Sequence, residues 1–462
     1  MVFSSLLFLF WFIPIFFALY YAAGNKYRNT VLFAGSIVFY AWGEPSYLIL
    51  IFISIFVNWL AGLGLGRCLP DREHTAAEKA VFIAAMVFDF GMLFVFKYTG
   101  FFVENINSLF KTSIPDPHLT LPLGISFYTF QIASYVIDLY RGKIKVEKNP
   151  LTLGTYLVMF PQLIAGPIVV YSKVSTQLHE RVITPEKVSE GIETFILGLS
   201  SKVLLANTCG ALWSDLEAKG YPDISMPLAW LGVIAFTLQI YFDFNGYSLM
   251  AVGLGKMLGF ELPRNFDHPY VSRSLTEFWR RWHITLSSWF RDYVYIPLGG
   301  NRKGRIRTYV NLFIVWFLTG FWHGAGWNFI FWGLFFFVFL TLEKSFLGRH
   351  LEAHPVAARV YSLVLIGLSW MIFAITDLEK LCVYASRLVA FDGAPCSDVV
   401  YYIRNYGLVI VLGCFFSSTY PSSWFKNIKN VWIRSLSLTA LLFVCVCFLA
   451  DAGYNPFLYF RF

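Results

Sequence analysis

Residues 308–342 read TYVNLFIVWFLTGFWHGAGWNFIFWGLFFFVFLTL, and no Asp, Glu, Lys or Arg occurs among them. A transmembrane helix needs a minimum of ~17 mostly apolar residues, so the run is long enough for two short spans, which we place at 308–323 and 326–342. Transmembrane β-strands instead alternate apolar and polar residues over segments of roughly ten residues. The run therefore predicts membrane-spanning α-helices.

The composition of the whole chain supports the same prediction. Of its 462 residues, 57% are hydrophobic and only 14% are charged, and the mean hydropathy is +0.60. These values exclude soluble, disordered and fibrous proteins. We therefore expect an all-α, polytopic helical membrane protein with roughly ten to twelve transmembrane helices, plus re-entrant and interfacial helices. Residues 1–462 are expected to form a single membrane-embedded domain without a soluble domain.

The positions of Lys and Arg predict how the chain is oriented. Cytoplasmic loops of membrane proteins carry an excess of these residues. The loops 22–29, 67–79 and 141–150 hold two, three and four of them, whereas the loops between hold none or one. This alternation places the three loops in the cytoplasm and the N-terminus outside. Because no basic residue and no cleavage site accompany the first apolar run, we expect it to be retained as a span.

One apolar segment does not fit a simple span. Residues 151–171 contain Pro161 and the pair Gly166 and Pro167. These residues interrupt backbone hydrogen bonding in a medium that supplies no water to replace it. We therefore predict a re-entrant or broken segment here.

The segment 264–307 is the most basic part of the chain. It holds nine Lys or Arg and three Asp or Glu, and so contributes +6 of the net charge of +8. This charge predicts a cytoplasmic location. Between Leu275 and Tyr293, apolar residues recur at helical spacing with Arg273, Arg280 and Arg291 on the opposite side. That pattern is typical of an interfacial amphipathic helix.

His323 is the strongest candidate for a catalytic residue. It lies within the uncharged run, and an ionisable side chain inside a membrane segment is a candidate for function. If the helix begins at residue 308, His323 lies ~24 Å along it, deep within a core of about 30 Å. An imidazole, with an ordinary pKa of about 6.5, takes up and returns protons near neutral pH. The alternative is a histidine that only packs between helices and binds a neighbouring carbonyl.

Several other polar residues are candidates for the same site. His283 falls on the margin between the apolar and basic faces of the predicted amphipathic helix, where it either snorkels to the interface or points into a cavity. Asp243 and Asn245 lie in another apolar run, where they line a tunnel or only hydrogen-bond a neighbouring helix. Trp322 and Asn328 flank His323 and are further candidates for lining a tunnel.

Ligand binding is indicated by one basic cluster. Arg302, Lys303 and Arg305 are expected to attract an anionic cofactor or anionic lipid headgroups, although membrane topology alone also explains them. His350 and His354 have the spacing of metal ligands but no acidic or thiol partner nearby, so we predict no metal site. We expect no permanently bound cofactor and no nucleic-acid partner.

The absence of common catalytic motifs narrows the chemistry. The sequence contains no phosphate-binding loop, no His-Glu-x-x-His motif and no Gly-x-Ser-x-Gly motif, so neither an ATP-driven pump nor a serine hydrolase is indicated. Any acyl transfer by this chain would therefore rest on His323 without an evident covalent nucleophile.

Four sequence blocks carry a family resemblance. They are FWRRWH at 278–283, WFRDY at 289–293, IPLGGNR at 296–302 and TGFWHG at 319–324. Together they resemble the membrane-bound O-acyltransferase family, and within it the bacterial alginate O-acetyltransferases. Further similar blocks are LPLGISF at 121–127, FPQL at 160–163 and NPF at 455–457, so the resemblance covers nearly the whole chain.

The resemblance implies a ring of membrane helices around a thinned centre, with a tunnel that brings a cytoplasmic acyl thioester to a catalytic histidine. It gives this role to His323 and makes His283 the second characteristic histidine. It also implies acetyl-CoA as co-substrate, an extracytoplasmic acetyltransferase-type partner protein, a polysaccharide acceptor, and a location in the bacterial cytoplasmic membrane. The chain departs from the family pattern at Asn245, Leu249 and Phe336, and the acceptor polymer is left open.

Two alternative functions are kept beside acetyl transfer. The first is transfer of D-alanine from a carrier-protein thioester toward teichoic acid, which resembles the same architecture with a different donor. The second is a glycan or lipid transporter, which would also need broken helices and buried polar groups. Docking of a carrier protein distinguishes the first, and the lack of thioester consumption distinguishes the second.

Overall fold

The computed structural model describes residues 1–66, 73–164, 166–390, 397–451 and 458 of the chain. Within these residues the regular structure is helical and no strand occurs, which confirms the all-α prediction. The NPF block at 455–457, together with Arg67 and Arg72 of a predicted cytoplasmic loop, lies outside the described residues.

The helices follow the apolar runs of the sequence. The first nine are α1 (Ile13–Ala22), α2 (Arg28–Ala41), α3 (Leu48–Leu65), α4 (Ala76–Phe110), α5 (Ile125–Tyr140), α6 (Pro150–Val158), α7 (Phe160–Leu163), α8 (Tyr171–His179) and α9 (Pro185–Ser200). The next twelve are α10 (Asn207–Lys219), α11 (Met226–Met257), α12 (Leu275–Arg281), α13 (Ile284–Phe290), α14 (Arg305–His323), α15 (Trp327–Leu342), α16 (Gly348–Ala353), α17 (Pro355–Ala374), α18 (Leu378–Arg387), α19 (Ser397–Phe416), α20 (Tyr420–Lys426) and α21 (Val431–Asp451). Short π-helical turns occur at Phe8–Phe12, Ser201–Ala206, Arg291–Tyr295 and Glu343–Leu347.

Eight helical stretches of the described chain are long and apolar enough to cross a membrane. They are Pro45–Leu65, Ala76–Phe110, Pro185–Lys219, Met226–Met257, Trp327–Ala353, Pro355–Ala374, Asp398–Phe416 and Val431–Asp451. The chain is therefore a multi-pass membrane protein. The predicted total of ten to twelve spans depends on shorter helices such as Phe8–Ala22 and stays a prediction.

The chain forms two compact units. The first contains Met1–Phe195 and Met250–Pro263, and the second contains Ile196–Leu249 and Arg264–Phe462. Both candidate histidines belong to the second unit. The expectation of a single membrane domain with no soluble part stays a prediction.

The broken segment predicted at 151–171 is confirmed in the first unit. Helix α6 ends before Met159, the short helix α7 follows, and α8 begins only at Tyr171. Buried side chains satisfy the interrupted backbone: Ser36 Oγ accepts the N–H of Phe160 at 3.1 Å, and the Tyr156 hydroxyl donates to the carbonyl of Val169 at 2.8 Å. Such partners are required for irregular backbone at membrane depth.

The predicted amphipathic helix between Leu275 and Tyr293 is not continuous. Helix α12 ends at Arg281, α13 begins at Ile284, and His283 between them has the left-handed φ of +42°. The prediction of one helix is therefore wrong. Its apolar residues are buried inside the second unit, where the Trp279 ring lies 4.6 Å from that of Trp316.

Helices α14 and α15 pack with their backbones in close contact. A Cβ atom added to Gly320 would collide with the carbonyl oxygen of Phe329, and one added to Gly333 would collide with that of Trp316. Small residues at such a crossing allow two membrane helices to approach closely. This contact fixes the end of α14, where His323 is the last helical residue.

Candidate active site

His323 lies in an aromatic enclosure at the C-terminal end of α14. Its side chain is buried, and its ring centroid is 4.8 Å from that of Trp332, 4.9 Å from Trp322 and 5.3 Å from Phe373. All three contacts are edge-to-face, an arrangement that aromatic rings favour. An ionisable ring is thus held among apolar side chains from α14, α15 and α17, as expected for a deep membrane position.

His283 is fully buried, so the interpretation that it snorkels to the interface is wrong. Its ring packs edge-on against Phe244 of α11 at 4.7 Å, and its Nδ1 lies 3.2 Å from Oδ1 of Asn265. Burial lowers the pKa of His283 to about 3. The imidazole is therefore neutral at neutral pH, because water cannot solvate its charged form.

Trp322 connects the two histidines. Its ring centroid lies 4.9 Å from that of His323 and 6.2 Å from that of His283. The three residues come from two distant segments, which meet because Trp279 of α12 packs between Trp316 of α14 and Trp332 of α15. The structure thus brings His283, Trp322 and His323 together.

The segment before α12 holds His283 in place. The N–H of Asp267 donates to the carbonyl of Arg281 at 2.9 Å, and the N–H of Ile284 donates to the carbonyl of Asn265 at 2.9 Å. The Asn265 side chain also accepts the N–H and hydroxyl of Thr285 at 3.3 and 2.9 Å. Sequence patterns did not identify Asn265, because its hydrogen bonds are made to residues 283–285, in another segment of the chain.

A buried carboxylate, that of Glu343, holds the N-terminal end of α12. Glu343, in the π-helical turn after α15, accepts the N–H of Leu275 at 2.7 Å and the N–H of Thr276 at 2.9 Å. These N–H groups have no partner within the helix itself, and a negative charge at this end is favourable. No sequence pattern identified Glu343, since it follows an apolar run and resembles an ordinary helix end.

Asn328 holds helix α17 against the site. Its Nδ2 donates to the carbonyls of Ile372 and Phe373, at 3.3 and 3.1 Å. Because the Phe373 ring contacts His323, the amide helps to shape the enclosure. The side chain is fully buried, and its role in lining a tunnel stays a prediction.

Asp243 takes part in a buried ion pair. Its Oδ1 lies 2.5 Å from Nζ of Lys202, its Oδ2 accepts the N–H of Leu458 at 2.7 Å, and both charged side chains are about 4% exposed or less. These bonds favour the interpretation that Asp243 joins neighbouring segments over the interpretation that it lines a tunnel. Asn245, two residues on, is only partly buried.

The basic cluster lies far from His323 along the same helix. Arg302, Lys303 and Arg305 are exposed at the start of α14, whereas His323 is at its end. Eighteen residues at 1.5 Å each separate Arg305 from His323 by ~27 Å. The cluster is thus not part of the histidine site, and only a long ligand would contact both.

The residues considered for a metal do not form a cluster. His350 and His354 are exposed, and His354 Nδ1 lies 3.1 Å from the carbonyl of His350. In the part of the chain that the structure describes, no three His, Cys, Asp or Glu side chains are placed to hold a metal ion. The expectation of no metal stays a prediction.

The fold and the site together define a multi-pass helical membrane protein with a buried pair of histidines. Residues 147–386 match the sequence model of the membrane-bound O-acyltransferase family, and both histidines lie within this range. The match covers more than half of the chain. The chain therefore belongs to the membrane-bound O-acyltransferase family, as its sequence blocks indicated.

Three relatives support the assignment. A protein of Pseudomonas aeruginosa named probable alginate O-acetylase AlgI is 42% identical over 388 residues, which cover 82% of this chain and 73% of the relative. Its namesake from Pseudomonas putida is 36% identical over the full length of both chains. The peptidoglycan O-acetyltransferase of Helicobacter pylori is 30% identical over 100% of this chain and 98% of its own. The chain is thus an enzyme, a membrane-bound O-acyltransferase, and its sequence is similar to bacterial proteins named probable alginate O-acetylase.

Proposed function

We propose that this enzyme moves an acetyl group from a cytoplasmic thioester, acetyl-CoA, toward an extracytoplasmic polysaccharide, and that a partner protein outside the membrane completes the transfer. The observation that carries the proposal is the enclosure in which Trp322 contacts both His323 and His283. The names of the relatives support acetyl as the group, since they are an alginate O-acetylase and a peptidoglycan O-acetyltransferase.

The proposed reaction exchanges a thioester for an ester. An acceptor hydroxyl oxygen attacks the carbonyl carbon, the carbon–sulfur bond breaks, and the hydroxyl proton ends on the sulfur to give a free thiol. His323 removes that proton as general base, or first accepts the acyl group on a ring nitrogen, and His283 passes the proton on. General acid–base catalysis of this kind typically contributes about 10²- to 10⁴-fold.

Trp332 is our candidate for stabilising the negative charge that develops on the carbonyl oxygen. Its ring is fully buried beside His323, and its Nε1–H has no hydrogen-bond partner among the described residues. A single N–H donor aimed at such an oxyanion is typically worth about 3 kcal/mol in the barrier.

The donor would lie along α14. Arg302, Lys303 and Arg305 are exposed and able to bind the phosphates of a CoA molecule, while its acyl end extends toward His323. A long donor suits this separation better than a compact one. We further propose that the cluster faces the cytoplasm, that the N-terminus lies outside, and that the enzyme resides in the bacterial cytoplasmic membrane.

The test is transfer of radiolabel in lipid vesicles. The purified enzyme is supplied with acetyl-CoA labelled in the acetyl group and with its membrane-proximal partner, and His323→Ala is compared with wild type at equal folded amount. We expect the variant to lose at least about 100-fold in labelling, since the proton acceptor is removed. His350→Ala, which removes an exposed histidine, is the matched control and should retain wild-type labelling.

Three other outcomes would each contradict a part of the proposal. If His323→Ala labels as well as wild type, the assignment of His323 is wrong. If wild type does not consume acetyl-CoA but accepts D-alanine from a carrier-protein thioester, the donor is a carrier protein. Consumption of neither thioester would contradict acyl transfer from these donors.

A further inference from the structure

The hydrogen bonds of Asn265 determine which way its side-chain amide faces. One terminal atom of this amide accepts the backbone N–H of Thr285 at 3.3 Å and the Thr285 hydroxyl at 2.9 Å. A backbone N–H can only donate, so the atom that receives it is the oxygen, Oδ1, and not the nitrogen. The backbone N–H of Thr285 therefore fixes the orientation of the Asn265 amide.

The same oxygen determines where His283 carries its proton. Oδ1 of Asn265 lies 3.2 Å from Nδ1 of His283. An amide oxygen has no hydrogen to donate, so Nδ1 must be the N–H donor in this bond. In a neutral imidazole the other nitrogen, Nε2, then carries the lone pair.

The surroundings of His283 keep the ring neutral. The aromatic rings packed on it include those of Phe244, Phe266 and Trp322, which are uncharged. Charged residues of the adjoining segments bind one another instead, with Arg264 2.7 Å and Arg281 3.8 Å from the carboxylate of Asp267. Consistent with this setting, burial lowers the pKa of His283 to about 3.

The Nε2 atom is the ring nitrogen that remains available as a proton acceptor. It is fully buried, and it accepts no hydrogen bond from any described residue. Buried polar atoms in proteins nearly always have a partner. Nε2 of His283 is an acceptor without such a partner, and the His283 ring lies beside Trp322, which contacts His323. This indicates that a hydrogen of a ligand is the partner of Nε2 during the reaction.

We propose that Asn265 is a positioning residue, which holds His283 with its proton on Nδ1 so that Nε2 receives a proton during acyl transfer. This inference rests on the proposed function and extends it by naming the accepting atom. In each turnover Nε2 takes the proton removed from the acceptor hydroxyl and later returns it to the thiolate sulfur. Because an amide is uncharged, Asn265 orients the ring without stabilising its charged form, and the proton is released readily.

The structural part of the proposal is tested by nitrogen NMR of ¹⁵N-histidine-labelled enzyme in lipid bilayers, with His283→Gln used to assign the signal. We expect wild type at neutral pH to show a neutral ring protonated at Nδ1. Asn265→Ala should populate the other tautomer. A wild-type ring protonated at Nε2, or an Asn265→Ala ring unchanged from wild type, would overturn the proposal.

The functional part is tested with Asn265→Asp, which keeps the accepting oxygen and the shape of the side chain. A carboxylate beside Nδ1 stabilises the charged imidazole and therefore raises the pKa of His283. The pH below which acetyl labelling is lost should then rise by at least about one unit. Asn265→Ala should lower kcat by about tenfold or more with little change in KM, because proton transfer is affected and binding is not. An unshifted pH profile in Asn265→Asp would show that His283 does not accept the proton.

These measurements separate this inference from the proposed function. The NMR signal does not require turnover, so an expected tautomer in an enzyme that consumes neither thioester would refute the proposed function and leave the orientation intact. Normal transfer with the opposite tautomer would refute only the role of Asn265.

Discussion

At the scale of single residues, the buried pair of Lys202 and Asp243 should matter most for stability. Removing one partner of a buried ion pair typically costs about 3–5 kcal/mol, because a charge is left without its counter-ion in a medium of low dielectric constant. We therefore expect Asp243→Asn to lower the apparent melting temperature of the detergent-solubilised enzyme markedly. The double variant Lys202→Met with Asp243→Leu should recover much of the loss. Equal melting of Asp243→Asn and wild type would contradict this account.

Individual residues could be predicted from the sequence only where their signal lies in the neighbouring residues. His323 was selected as a candidate because an ionisable residue in an uncharged membrane run almost always faces the protein interior; its side chain is buried, and its catalytic role stays a prediction. For His283 the sequence could not choose between an interfacial and an inward position, since helical periodicity gives the face of a regular helix and His283 lies at a break. Asn265 and Glu343 act through contacts with residues far along the chain, which no local pattern records.

At the scale of helices, the apolar runs predicted the helical segments well, but they did not predict every position at which a helix is interrupted. The segment predicted at 308–323 is helical, as α14, Arg305–His323, because charged residues bound it on one side and glycines on the other, and its role as a membrane span stays a prediction. The segment at 151–171 was recognised as broken from its prolines. The break between α12 and α13 has no proline or glycine, and a histidine takes the left-handed conformation there. That conformation is uncommon but tolerated better by histidine than by most residues, and tertiary hydrogen bonds hold it.

The contact between α14 and α15 leads to a prediction about Gly333. A methyl group there would meet the carbonyl oxygen of Trp316 and the Cα of Gly320, so Gly333→Ala should push the helices apart. Overpacking of this kind typically costs about 1–3 kcal/mol. We expect a lower melting temperature and reduced acetyl transfer, since the enclosure of His323 is built on this crossing. Gly91→Ala is the control, because a Cβ there meets no atom within 4 Å. Equal effects of the two variants would contradict the interpretation.

At the scale of the whole molecule, composition predicted the class of protein, and it depends only on counts of residues. Family membership added the reaction class, which composition cannot give. The arrangement of the chain into two compact units was not predicted. It depends on which helices pack together, and apolar helix faces in a membrane carry little sequence information about their partners.

The predicted orientation of the molecule leads to a test of its topology. The loop 215–223 holds three acidic residues and one Lys, so the charge rule places it outside, whereas the basic residues before α14 are expected to face the cytoplasm. Cysteines at these two positions should therefore differ in access from the cell exterior. We expect Ala218→Cys, at an exposed position near the end of α10, to react in intact cells with a membrane-impermeant maleimide. Lys303→Cys should react only after the membrane is permeabilised. Both variants are made in a chain whose native cysteines are replaced and whose acetyl transfer has been measured. The opposite labelling pattern would place the basic cluster outside, where cytoplasmic acetyl-CoA cannot reach it, and would exclude Arg302, Lys303 and Arg305 as the phosphate site.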